Sequence, residues 1–350
     1  MIFGILGFLL AALLPVQSVY ANTITVNSLD DSATAGDGLC TLREAINNAN
    51  SNSDTSGADC AAGSGADTIS FSVSGEIVVS SAFPRIIDDD TTIDGGGAIT
   101  LNGNGGAYPG LEIRSSRSRI DGLIIHSFGQ EGILVEGYNY RIDGVEIVNC
   151  HIGTDGTAAL GNGRNAIYIP SQNDSSGVRG ANDILIEDNV VAASINGTSG
   201  YGIRVREFSS RSVNVRIVGN TVGTDVTGTV ALPNGIGIYV TGIQTLTIEN
   251  NLISGNYRDG IQLDSVTDTL IISNVIGTDR TGSVALPNNS AAIGDNGTAG
   301  IYAYDSATMT LRANLISGNG RAGVALQNLN HGTLVGNKIG TDISLSLIHI

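Results

Sequence analysis

A branched apolar residue followed by Gly-Thr-Asp recurs along the chain, at Ile152-Gly-Thr-Asp155, Val222-Gly-Thr-Asp225, Ile276-Gly-Thr-Asp279 and Ile339-Gly-Thr-Asp342. Between these stands Ile253-Ser-Gly-Asn256, answered by Ile316-Ser-Gly-Asn319. Each motif follows a short β-rich run such as Leu246-Thr-Ile248, Leu270-Ile-Ile272 or Met309-Thr-Leu311, and an Asn sits two residues before the branched apolar position. Aligning on that Asn gives one column, His126, Cys150, Asn189, Asn220, Asn251, Asn274, Asn314 and Asn337, with steps of 24, 39, 31, 31, 23, 40 and 23 residues. Three strand faces of about 4 residues joined by turns of roughly 2 to 5 give a period in the low twenties, which matches the short steps. The long steps are the same coil carrying an insertion, and two insertions repeat each other as Thr227-Gly-Thr-Val-Ala-Leu-Pro-Asn234 and Thr281-Gly-Ser-Val-Ala-Leu-Pro-Asn288. A repeat of paired helices needs 33 or more residues and a 3.6-residue period, and the chain has neither.

A second column fits the same coil: Gly132-Ile133-Leu134-Val135, Ala166-Ile167-Tyr168-Ile169, Gly202-Ile203-Arg204-Val205, Gly237-Ile238-Tyr239-Val240, Gly260-Ile261-Gln262-Leu263, Gly300-Ile301-Tyr302-Ala303 and Gly323-Val324-Ala325-Leu326. Alternation turns the first and third apolar residues inward and the middle residue outward. The leading Gly is expected to supply a positive φ. Asn tolerates the left-handed region, and Asn189, Asn220, Asn251, Asn274, Asn314 and Asn337 stacked about 4.8 Å apart are expected to hydrogen-bond along the axis as a ladder. The pattern predicts an all-β parallel β-helix of roughly eight to ten coils, about 34 Å long from the His126 coil to the Asn337 coil.

Composition agrees with a turn-rich solenoid and narrows its partners. Of 350 residues 48 are Gly, 41% are hydrophobic and only 14% are charged, so the chain can fill a core and is not disordered. The net charge is -16 and Lys338 is the single lysine, which argues against nucleic acid and anionic membrane as partners.

The run from Ile2 to Val16 with Val19-Tyr20-Ala21 behind it reads as a signal peptide over residues 1–21, too short for a membrane span, so that the mature chain is expected to lack one. The usual basic start is missing, since no Lys or Arg precedes Arg43. Residues 22–70 read as a cap segment, 71–342 as the repeats, and 343–350 as an aberrant or truncated apolar tail.

A stacked sheet needs a cover at its ends, and Cys40-Thr-Leu-Arg-Glu-Ala-Ile-Asn-Asn-Ala-Asn50 suits that task. Thr41 and Glu44 form a capping box, and Leu42, Ala45, Ile46 and Ala49 share one helix face. Cys-Thr-Leu-Arg-Glu-Ala resembles the Cys-Ser-Leu-Arg-Glu-Ala signature that opens a class of secreted bacterial β-helix repeat proteins. With the Gly-Thr-Asp and Ala-Leu-Pro-Asn repeats the resemblance covers about residues 22 to 342. It implies a right-handed, single-stranded, pectin-lyase-like parallel β-helix and export to the medium or the cell surface, in a class of mixed function.

In an exported chain Cys40 and Cys60 are expected to form a disulfide across the cap. Cys150 reads as a small buried space-filler in the Asn column, and it offers no zinc site. No cofactor is expected. Asp88, Asp89, Asp90 and Asp94 are weak calcium candidates, because hard cations take clustered oxygens on tight turns. Asp155, Asp225, Asp279 and Asp342 recur with the coil and read as turn-forming residues. Glycoside hydrolysis would need carboxylates across a cleft, for which Asp121 with Asp143 and Glu187 with Glu249 are the candidate pairs. The four histidines are scattered, and the Asp-Pro-His and Gly-His-Gly runs of β-helix enzymes are missing.

The outward column offers the sharpest binding idea. Tyr168, Arg204, Tyr239, Gln262 and Tyr302 should line one face, with tyrosines about 10 Å apart to stack on alternate sugars and Arg204 between two of them for a carboxylate. The sequence therefore predicts a monomeric, secreted or surface-displayed, non-catalytic binding or adhesive module, with extracellular or cell-wall polysaccharide as partner. The alternatives are a polysaccharide lyase, hydrolase or epimerase with an unrecognised site, and a structural stalk of a longer surface protein.

Overall fold

The computed structural model describes residues 21–137, 141–170, 181–194, 200–207, 214–289, 299–342 and 344; the expected signal peptide, apart from Ala21, and the tail, apart from Ser344, lie outside them. The described chain is a parallel β-helix. Nineteen strands form one long sheet, eight form a second, and two form a third.

The long sheet is bent lengthwise. Its strands such as Thr245–Glu249, Thr269–Ile272 and Met309–Arg312 are each followed by one left-handed residue and then by a two-residue strand, Leu252–Ile253, Val275–Ile276 or Leu315–Ile316. Ile217, Ile248, Ile271 and Leu311 stand in register on successive strands and are fully buried. Burying each such side chain is worth about 1.5 to 3 kcal/mol. The row of long strands extends back through Asn22–Val26 and Asp67–Phe71, upstream of the first recognisable repeat.

At the bend the left-handed residue is the one before the ladder Asn, at Asp188 (φ 54°), Asn250 (57°), Ser273 (58°) and Ala313 (55°). The Asn itself stays outside that region, so its role is in its side chain. Asn189 Nδ2 donates to Asn220 Oδ1, Asn220 to Asn251, Asn251 to Asn274, each at 3.0 Å. Asn274 donates to Asn314 at 3.0 Å and Asn314 to Asn337 at 2.9 Å. Each backbone N–H along the row donates to the next Asn Oδ1 as well, as Asn220 does to Asn251 at 2.8 Å. Cys150 heads the row, its N–H donating to Asn189 Oδ1 at 2.9 Å. His126 does not belong to it. His151 pairs with Ile124, so His126 lies three residues beyond the position opposite Cys150; the bend in that coil falls at Gly122 (φ 61°), earlier than an alignment on polar residues supposes.

The second column also differs from its expected cause. Gly132, Gly202, Gly237, Gly260 and Gly300 do not have positive φ. A Cβ on Gly237 would stand 2.6 Å from Gly260 O and 2.9 Å from Asn256 Nδ2, and one on Gly260 would stand 2.8 Å from Asn288 Nδ2. Glycine is required there because the neighbouring coil fills the space.

At one end the helix Leu42–Ser51 lies against the first two strands. Thr41 Oγ1 accepts from Glu44 N–H, and a Glu44 carboxylate oxygen accepts from Thr41 N–H at 3.0 Å. Leu42, Ala45, Ile46 and Ala49 are buried. Cys40 and Cys60, 20 residues apart, are joined by a disulfide, a loop closure worth about 3 kcal/mol in the chain-entropy model. In the last described coil Leu334, Val335 and Ile339 are about half exposed. Among the described residues no helix is long and apolar enough to cross a membrane.

Candidate functional site

The eight-stranded sheet carries the site. Its parallel register places Glu112, Leu134, Tyr168, Arg204, Tyr239, Gln262, Tyr302 and Ala325 side by side on consecutive strands. The flanking residues are buried, as with Ile167 and Ile169 about Tyr168 or Ile203 and Val205 about Arg204. The central residues are half-buried and face outward. Strand spacing sets Tyr168 and Tyr239 about 9.6 Å apart along the axis.

Arg204 is held by aromatic rings. Its guanidinium carbon lies 5.0 Å from the centroid of Tyr168, 4.6 Å from Tyr201 and 5.8 Å from Tyr239, within the range of cation–π attraction. Tyr201 and Tyr239 touch each other with centroids 5.2 Å apart. Burial pushes the Tyr239 hydroxyl above its ordinary range, Asp264 adding to the effect, so the ring stays neutral. Further along, the Tyr302 hydroxyl donates to Gln327 Oε1 at 3.2 Å. Tyr201 escaped the sequence reading because it stands just before the Gly of its coil, where other coils hold Ile236 or Asp259.

Two further features were missed. Asn234, Asn256, Asn288 and Asn319 form a second buried ladder, with Nδ2 to Oδ1 distances of 3.0, 2.8 and 3.0 Å. Its members were visible in sequence, but split between Leu-Pro-Asn in the long coils and Ser-Gly-Asn in the short ones. Asp259 is 2% exposed and accepts from Ala299 N–H at 2.6 Å; burial raises its carboxyl to about 6.

The candidate carboxylate pairs fare differently. Asp121 stands beside Val148 on the next strand and is bonded by Arg119 and Asn149. Asp143 pairs with Asn182 in the two-stranded sheet and binds Arg141 at 2.8 Å, so these two are not brought together. Glu187 and Glu249 share a column with Val218 between them, about 9.6 Å apart by strand spacing. The four calcium candidates are divided among other groups of the chain. Asp88 accepts from Asn52 Nδ2, Asp89 and Asp90 bind Arg117 at 3.2 and 2.6 Å, and Asp94 accepts from Gly96 N–H. Among the described residues no three His, Cys, Asp or Glu side chains are placed to hold one metal ion.

The recurrent aspartates hold turns. Asp225 accepts from the N–H groups of Thr229 and Val230 and from Thr227 Oγ1, and Asp279 does the same with Ser283, Val284 and Thr281. Burial acts to raise both carboxyls, but these hydrogen bonds outweigh it and leave them below the usual value. Cys150 is enclosed, and burial pushes its thiol up to about 12, far from a reactive thiolate.

A family model described as the right handed beta helix region matches residues 160–339, just over half of the chain. No curated protein sequence matches. Among solved structures, the pectate lyase Pel9A aligns with a TM-score of 0.56 at 12% identity, over 94% of this chain and 82% of that one. The periplasmic alginate epimerase AlgG aligns with a TM-score of 0.50 at 11% identity, over 79% of this chain and 60% of the epimerase, so the chain spans less than two thirds of that protein. At such identity the likeness is one of fold.

Proposed function

The chain belongs to the right-handed β-helix family, and on that basis we propose that it is a non-catalytic binding module, secreted or displayed at the cell surface, that holds an extended polysaccharide along its eight-stranded sheet. The carrying observation is the register of Tyr168, Tyr239 and Tyr302 on one face. Aromatic rings at fixed intervals on a rigid sheet match the apolar faces of successive sugars, and rigidity keeps the ordering cost of binding low. The Cys40–Cys60 disulfide fits an oxidising compartment. Of the candidate carboxylate pairs, Asp121 and Asp143 lie in different sheets, whereas Glu187 and Glu249 share a column, so the assay for new chain ends is part of the test.

The test is affinity electrophoresis against immobilised neutral and uronic polysaccharides, with new chain ends assayed in the same samples. Retention of the wild-type chain without new ends is expected. Replacing Tyr168, Tyr239 and Tyr302 together by Ala should weaken retention roughly 100-fold, from about 1 kcal/mol per ring. Unchanged retention in that variant, or chain cleavage by the wild type, overturns the reading.

A further inference from the structure

We propose that Arg204, set among Tyr168, Tyr201 and Tyr239, is a carboxylate subsite that makes this face select uronic acid chains over neutral ones; the inference rests on the glycan-binding reading above. Acidic residues outnumber basic ones by 33 to 17, and several of the described arginines find carboxylates, although Arg280 is held by backbone carbonyls and Thr221. Arg114, just past the end of a strand of the same sheet, binds Glu112 at 2.5 Å and Glu136 at 2.8 Å, Arg117 binds Asp89 and Asp90, and Arg43 binds Asp31 at 2.7 Å. Arg204 has three rings instead. Its Nε is buried and has no hydrogen-bond acceptor among the described residues.

Leaving a buried guanidinium N–H without an acceptor is costly, and no carboxylate of the described chain offsets that cost at Arg204, so a ligand carboxylate meeting the accessible part of this half-buried side chain would supply the missing charge. The rings approach the guanidinium within cation–π range and limit its rotation, so a bidentate contact is prepared before the ligand comes. They also supply the stacking surface for the sugar that bears the acid. With one such Arg in the outward column, a bound segment needs one free carboxylate at that coil, and the sugars over Gln262 and Tyr302 have no such requirement. An acidic peptide would satisfy the charge but lacks the flat apolar faces that suit the tyrosine row.

The experiment compares an oligogalacturonate, the same oligomer fully methyl-esterified, and polyglutamate of similar length, by calorimetry against the wild type, Arg204→Gln and Arg204→Met. Wild type should prefer the free acid to the ester by roughly 10-fold or more, as a charge-assisted pair implies. Both variants should lose the preference and bind acid and ester with a ratio near one, and a preference kept in both overturns the assignment to Arg204. A wild-type ratio near one with binding retained overturns the carboxylate subsite and leaves the tyrosine reading standing. Polyglutamate binding as tightly as the oligouronate overturns the glycan selectivity, and failure to bind either galacturonate form overturns the uronate subsite, the polysaccharide panel above deciding separately whether the tyrosine reading goes with it.

Discussion

Two columns run along the later coils of the same solenoid and obey opposite rules. The inner column repeats one residue, Asn189 through Asn337, because every coil poses the same problem: a bend whose backbone groups are sealed from water. The outer column, Leu134, Tyr168, Arg204, Tyr239, Gln262, Tyr302 and Ala325, uses the same register and varies, with Tyr at three coils and a different residue at each of the others. Backbone geometry allows a different side chain there at each coil, which leaves the face free for the binding role proposed for Arg204. In a repeat protein, sameness reports architecture and difference reports use.

The largest effect that could break this contrast lies inside. Asn251 accepts from the N–H and Nδ2 of Asn220 and donates to Ile217 O and Asn274 Oδ1. Asn251→Leu strands several of these buried groups at about 1 to 3 kcal/mol each, so a loss of roughly 3 kcal/mol or more is expected in denaturant unfolding. Glycan retention by the folded fraction should not change. Parallel loss of both properties in the tyrosine variants would show the outer column to be structural after all.

Asp259 sharpens the comparison, being buried yet unrepeated. Its carboxyl is raised to about 6, so the folded chain binds that proton more tightly than the unfolded one. The stabilisation is full below the ordinary Asp value and is lost as pH rises through about 6. Asp259→Asn keeps an acceptor for Ala299 N–H and should be more stable than wild type at pH 8, by roughly 1 to 3 kcal/mol, with the difference vanishing near pH 4. Equal stability at both pH values would show that the carboxylate is solvated in the fold. Asp225 and Asp279 carry the opposite sign: their contribution is present above the unfolded value and lost as acid takes the pH down through the lowered one.

The smallest effect is expected at Glu136, which neutralises Arg114 just past the end of a strand of the sheet that carries Arg204. Glu136→Gln keeps an amide oxygen for Arg114, which also retains Glu112, so it should cost about 1 kcal/mol and leave uronate preference untouched. A change in that preference would extend the subsite toward Arg114.

Most of the coil was legible because its constraints are local and recur. An Asn, a branched apolar pair and a glycine return whatever the inserted loop. The first ladder showed itself through one repeated residue in one context, whereas the second was hidden because two different tripeptides deliver the same Asn. His126 was misplaced because the bend before Leu123 is made by Gly122, and glycine leaves no polar residue to align on. Tyr201 could not be anticipated, since its meeting with Arg204 and Tyr239 depends on side-chain directions that no spacing encodes. Asp121 and Asp143 were not brought together for a related reason: sequence separation near one coil does not say which sheet a residue lands in.

The exchange of Leu-Pro-Asn for Ser-Gly-Asn in the second ladder has a consequence for how such a protein changes. A coil with a long loop and a coil without one deliver the same amide to the same place, so either can follow the other without disturbing the register of the face. Length can then be gained or lost in whole coils, each shifting the outer column by about 4.8 Å. The molecule behaves as a graduated rule whose marks can be re-inscribed one at a time, while the spacing between them stays fixed by the amides within.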